Sequence, residues 1–236
     1  MTAAALLAVL NGVSVVLVLV WNVHFRPLGL SSPDLFQWHP ILMTLAMGVL
    51  VPQGVTAFRW RAWNRPVRKT VHGTLGLCAL LLAVVGVAAV IQFHVDKNIP
   101  NFYSLHSWLG VLALGGVVAQ ASAGSFVFFS KAGMALRSRF HRTHILLGQA
   151  LVVLSTMALT TGIMEKNAFT QTCTPMSNEC RVANALGVNL VATALCALYI
   201  VQQQQQQLAS GAAVAAAGDQ SSDPLEATAL IMTVSA

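Results

Sequence analysis

Four histidines stand near the start of successive apolar segments: His39, His72, His106 and His144, spaced 33, 34 and 38 residues apart. About 20 apolar residues suffice to cross a bilayer, and successive crossings alternate in direction. A histidine at the beginning of each crossing therefore falls on alternate faces. His39 and His106 share one face, and His72 and His144 share the other. Ionisable residues inside membrane spans are rare and tend to be functional, and here four recur at equivalent depth. Zinc sites gather their ligands in close clusters such as HExxH or CxxC, and the chain has neither. Haem needs only one imidazole on each side of its iron, and the two can come from separate helices. The pattern therefore suits two six-coordinate haems, one near each face, carrying electrons across the membrane.

Three of the four histidines have glycine four residues later: Gly76, Gly110 and Gly148. Positions i and i+4 share a helix face, so a missing side chain there leaves room for a flat macrocycle one turn below its ligand. His39 has Met43 at that place, so its haem contact must differ.

These histidines need an apolar scaffold, and the composition supplies one. Hydrophobic residues make up 56% of the 236 and charged residues only 8%, against about 25% charged in a soluble domain. Charge-free apolar runs mark six spans, at roughly 3–24, 38–58, 71–93, 105–129, 144–164 and 182–203. The first lacks a positive n-region and is longer than a signal-peptide core, so it reads as a retained helix. The fold class is all-α: six transmembrane helices, with spans two to five forming a four-helix core around two haems. Residues 1–203 form the membrane domain. Residues 204–236, following the onset of a glutamine run, form a low-complexity tail without composition for a packed core.

The net charge of +6 could suggest a nucleic-acid partner, but the basic residues are confined to loops. One loop carries Arg59, Arg61, Arg65, Arg68 and Lys69; another carries Lys131, Arg137, Arg139 and Arg142. Together these are nine of thirteen basic residues, with no Asp or Glu between them. The positive-inside rule puts both loops, and therefore both termini, in the cytosol. His72 and His144 then lie near the cytosolic side. A 22-residue span is about 33 Å long, which sets the two irons roughly 20 Å apart along the membrane normal.

Local sequence around the histidines resembles the cytochrome b561 family. The likeness lies in Gln37-Trp38-His39-Pro40, Lys69-Thr70-Val71-His72-Gly73, Phe93-His94-Val95-Asp96-Lys97, Asn101-Phe102-Tyr103-Ser104-Leu105-His106-Ser107-Trp108, and Leu136-Arg137-Ser138-Arg139 leading to His144. It covers about residues 35–200, and the stretch at His94 looks plant-like. The resemblance implies a homodimer with two haems b per chain, paired His72 with His144 and His39 with His106. It implies electron transfer from cytosolic ascorbate to a non-cytosolic acceptor, monodehydroascorbate or a ferric chelate. It further implies basic ascorbate contacts at Arg65, Lys69 and Arg137, and a non-cytosolic site at Phe93, His94, Tyr103 and Asn184. His141-Arg142-Thr143 departs from the family pattern, which leaves Arg139 and Arg142 unassigned.

The membrane could be that of a vesicle, vacuole or endosome, or the plasma membrane. Cys78 and Cys196 lie within spans and read as packing residues. Cys173 and Cys180 share a non-cytosolic loop and would form a disulfide in an oxidising compartment. A haem-bearing anchor relaying electrons to or from a quinone for a partner subunit is the alternative function. A histidine-lined metal transporter is disfavoured, because spans two to five contain no Asp or Glu.

Overall fold

A computed structural model describes residues 1–26, 28–60, 62–129 and 133–218. Arg61 and Lys131 of the basic loops, and the tail beyond Gly218, lie outside the described residues. Among the described residues six helices are long and apolar enough to cross a membrane. They are α1 (Ala3–His24), α2 (Trp38–Arg59), α3 (Arg65–Lys97), α4 (Leu105–Phe129), α5 (Met134–Thr170) and α6 (Asn178–Gly218). A single helical turn, Ser32–Leu35, leads into α2. No β-strand occurs among the described residues.

The helices outrun the apolar segments because their ends carry strong local signals. Asn64 caps α3 by accepting from the Val67 amide at 3.0 Å, and Pro66 sits in the first turn, where its missing N–H is harmless. Helix α3 therefore begins at Arg65 rather than near residue 71. It closes on Asn98, whose left-handed φ of 54° suits a helix C-cap. At 33 residues, α3 is about 50 Å long, well beyond the roughly 30 Å hydrocarbon core. Helix α5, with 37 residues, overshoots likewise. Both project charged ends from either side of the apolar layer. Helix α6 also continues, through the glutamine run to Gly218, since glutamine and alanine are good helix formers.

Helix α2 is the most buried of the six and the least regular. Its middle, Thr44–Leu50, is a π-helical stretch immediately before Pro52. Proline offers no N–H to the preceding turn, and widening the helix there absorbs the mismatch. Around it, small residues let backbones approach, as membrane helices require in the absence of a hydrophobic drive between them. Ala46, Met47 and Val51 of α2 pack on Ala79 and Ala83 of α3, Val117 of α4 and Val152 of α5. A second cluster joins Val18 and Trp21 of α1 to Ile41, Ile163, Leu186 and Leu190. Leu77, Leu81, Val84 and Val85 of α3, and Val111 and Leu112 of α4, are exposed, which suits contact with lipid. The neighbours α4 and α5 pack together, as do α1 and α6. Cys173 and Cys180 are joined in a disulfide between α5 and α6.

Candidate haem sites and the two membrane faces

The four histidines meet in two pairs. The rings of His39 and His106 lie 5.9 Å apart, centroid to centroid, at 82°. Those of His72 and His144 are also 5.9 Å apart, at 72°. Two imidazoles bound to one metal by bonds of about 2.0 Å would have centroids about 6 Å apart, so either pair could embrace a single iron. Among the described residues no three His, Cys, Asp or Glu side chains gather as a metal site.

Backbone carbonyls orient three of these rings. His39 Nδ1 lies 2.9 Å from the Gly86 oxygen, His72 Nδ1 2.8 Å from that of Gly54, and His106 Nδ1 2.8 Å from that of Ala158. A carbonyl only accepts, so Nδ1 carries the proton and Nε2 of the neutral ring keeps its lone pair for a metal. His144 Nδ1 is buried without a hydrogen-bond partner; its ring is flanked instead by Phe128 and Phe140 at 5.5 and 5.6 Å. Glycines supply the space. A Cβ on Gly162 would stand 2.7 Å from the His106 ring, and one on Gly124 would stand 3.2 Å from that of His144. A Cβ on Gly86 would meet Leu42 at 3.1 Å, so this glycine lets α2 approach α3. Gly76 and Gly110, the glycines one turn past His72 and His106, have no other protein atom within 4 Å of such a Cβ. That is open room of the kind a macrocycle beside its ligand requires. The donor set and the space therefore fit haem.

At the end of the bundle where α3 and α5 begin, cations converge. Arg65 and Lys69 are one turn apart on α3. Lys69 donates to the Phe128 carbonyl at the close of α4 and feels the charges of Arg137 and Arg65. Arg65 also acts on His141, one turn before His144. All three predicted basic contacts thus belong to one patch beside the His72–His144 pair.

The opposite end is built differently. Phe93 packs against Phe36 at 5.1 Å and His94 at 6.2 Å. His94 Nδ1 is 2.9 Å from Asn101 Oδ1. The Tyr103 hydroxyl donates to Glu165 Oε1 at 2.7 Å, which pushes the phenol pKa up to about 12. A cavity of about 340 Å³ lies under this pair, lined by Tyr103, Ser104, His106, Thr161, Met164 and Glu165. Asn184 is placed elsewhere. Its amide donates to Cys180 Sγ at 3.4 Å, and it lines a groove between α1 and α6 with Val13 and Leu17.

Two residues of this end escaped the sequence reading. Glu165 and Lys166 fall just past the apolar run 144–164, but α5 runs on to Thr170 and carries them into the structure. Lys166 is only 2% exposed. Its ammonium donates to Asn22 Oδ1 and to Gln37 Oε1, and sits 4.4 Å over the Trp21 ring. A polar Asn22 within the apolar first span was the available hint.

Six apolar helices that bring four histidines together as two pairs, at opposite ends of an inner bundle, define a multi-pass membrane protein with two candidate haem sites. A profile of the eukaryotic cytochrome b561 family matches residues 38–170, which hold all four histidines. The chain is 36% identical over 188 residues to transmembrane ascorbate ferrireductase 2 of Arabidopsis thaliana, covering 76% of this chain and 82% of that protein. It is 34% identical over 208 residues to the human lysosomal membrane ascorbate-dependent ferrireductase, covering 83% and 86% respectively. With the transmembrane ascorbate-dependent reductase of Sus scrofa it shares 35% identity over 173 residues, covering 70% and 68%. The chain belongs to the cytochrome b561 family.

Proposed function

We propose that this protein moves electrons from ascorbate at its basic, cytosolic face to monodehydroascorbate or a ferric chelate at the opposite face, and that it binds two haems b. His72 with His144 would hold one haem, and His39 with His106 the other. When bound, each haem would supply a one-electron iron couple, held by its histidine pair. The observation that carries this reading is the pair of 5.9 Å ring separations at the two ends of one inner bundle.

The surrounding residues divide the remaining work. Ascorbate is a monoanion at neutral pH, and the patch of Arg65, Lys69 and Arg137 would draw it to the His72–His144 end by Coulomb attraction. At the other end His94 donates from Nδ1 to Asn101, leaving Nε2 to take up or release the proton that accompanies ascorbate chemistry. Tyr103 and Phe93 would shape that acceptor site. The basic loops favour a cytosolic location for both termini. A homodimer is the assembly proposed with this reading.

Stopped-flow reduction by ascorbate, in vesicles of known orientation, tests the proposal. Ascorbate on the basic side should reduce both haems, and ferric chelate on the other side should reoxidise them. A chain that reduces ferric chelate only when a quinone and a partner subunit are added would instead be a relay anchor.

A further inference from the structure

Lys166 is a buried lysine for which neither substrate patch accounts. A lysine is almost never fully buried unless paired, yet the partners of its ammonium are neutral: the amide oxygens of Asn22 and Gln37 and the faces of Trp21 and Phe36. Asn22 is turned to receive it, because its own amide donates to the Val18 carbonyl at 2.9 Å. Every one of these groups offers electron density, which suits an ammonium with three N–H donors and no lone pair. The Arg26–Glu179 ion pair, 3.0 Å across, lies within Coulomb range and contributes little net charge.

The cation is also close to one histidine pair. Its ammonium is 5.5 Å from the Phe36 ring centre, and Phe36 stacks on His39 with centroids 6.3 Å apart. Lys166 is therefore at most about 12 Å from the His39 ring. At that distance, with an effective dielectric of about 20, a unit charge alters a one-electron equilibrium about tenfold. Salt screens buried charges much less than exposed ones, so the exposed Arg65 on the other face has no comparable hold on its own pair.

We infer that the Lys166 ammonium favours the reduced form of the haem that His39 and His106 would hold, making electron flow from the basic face toward that haem more favourable. The inference rests on the haem ligation proposed above. Lys166 acts through the field at its neighbour, as a positioning residue for charge, and touches neither substrate.

The test is a spectroscopic redox titration of the purified protein, following each haem separately. Lys166→Gln and Lys166→Met both remove the charge, and Met suits the Trp21 and Phe36 rings. Each should lower the His39–His106 midpoint by the equivalent of about tenfold, about 59 mV for one electron, and leave the His72–His144 midpoint in place. Lys166→Arg should restore it. An unmoved His39–His106 midpoint, or equal shifts in both haems, overturns the inference. If the neutral variants do not assemble, Asn22→Asp sets a carboxylate at the oxygen that already receives the ammonium. It should lower the same midpoint selectively, and no change there overturns the inference as well. A His106→Ala chain, with Lys166 intact, that retains both haems contradicts the ligation reading itself, a result separate from any midpoint.

Discussion

Replacing Gly162 by alanine should displace one haem while sparing the other. The added methyl would stand 2.7 and 2.8 Å from Cε1 and Nδ1 of His106, closer than real Cβ contacts come. The ring cannot simply swing aside, because its Nδ1 is tied to the Ala158 carbonyl at 2.8 Å. Overpacking of this kind costs about 1–3 kcal/mol, and loss of the carbonyl bond adds about 0.5–1.5 kcal/mol. Alanine is favoured over glycine in a helix by about 1 kcal/mol, so the polypeptide should remain folded while the ligand ring is misplaced. The net effect on haem binding at His39–His106 is about 1–3 kcal/mol, roughly fivefold to a hundredfold in affinity. The assay is the haem-to-protein ratio of the purified variant, with reduced-state spectra to identify which haem is missing. Full occupancy of both sites in Gly162→Ala would refute the assignment of His106 as a ligand in this geometry. Gly124→Ala, with its milder 3.2 Å approach to His144, should produce a smaller defect in the other haem.

Gly76→Ala tests the open side of the His72 ring: beyond its own helix the added methyl meets no atom within 4 Å, so loss of the His72–His144 haem points to a macrocycle there, and an unchanged haem ratio contradicts that placement. Lys69→Ala should weaken ascorbate at the basic face about tenfold or more, since a charged hydrogen bond contributes about 1.5–3 kcal/mol; oriented-vesicle kinetics should show both haems retained and added salt mattering less than in wild type. His94→Ala should impair exchange with the acceptor and leave reduction from the basic side intact, as side-specific rates will report. The Tyr103–Glu165 bond raises the phenol pKa to about 12, so its stabilising effect is present below the ordinary tyrosine value of about 10 and is lost as pH rises through about 12. In a Tyr199→Phe background, Glu165→Gln should bring the ultraviolet titration of Tyr103 back toward 10, and an unmoved titration contradicts the hydrogen bond.

The histidine rhythm made the architecture legible because membrane crossing imposes strict alternation. Helix number follows from the apolar runs, and the composition leaves no other plausible solvent for them. Helix ends were less legible. The apolar run starting near residue 71 omits Arg65 and Lys69, which belong to α3 because Asn64 caps it. Beyond the histidine pairs, contacts between helices were not legible. The glycines of the His-x-x-x-Gly spacing lie on the ligand's own helix, where periodicity can find them. Gly162 and Gly124, which touch the His106 and His144 rings, come from neighbouring helices. The carbonyls of Gly86, Gly54 and Ala158 are equally invisible in sequence, since any residue offers one. Lys166 was overlooked for a related reason: a charge after an apolar run reads as the start of a loop, and only packing against Asn22 and Trp21 makes it internal.

The most direct measurement uses sealed vesicles in which the protein has one orientation, with ascorbate outside the basic face and ferric chelate trapped within. Wild type should form ferrous iron inside at a rate that depends on external ascorbate. His72→Ala and His106→Ala should each abolish the transfer, with one haem missing from each purified variant. Ferric reduction that persists in either variant, or that appears only on the side to which ascorbate is added, would contradict transmembrane transfer through the two histidine pairs.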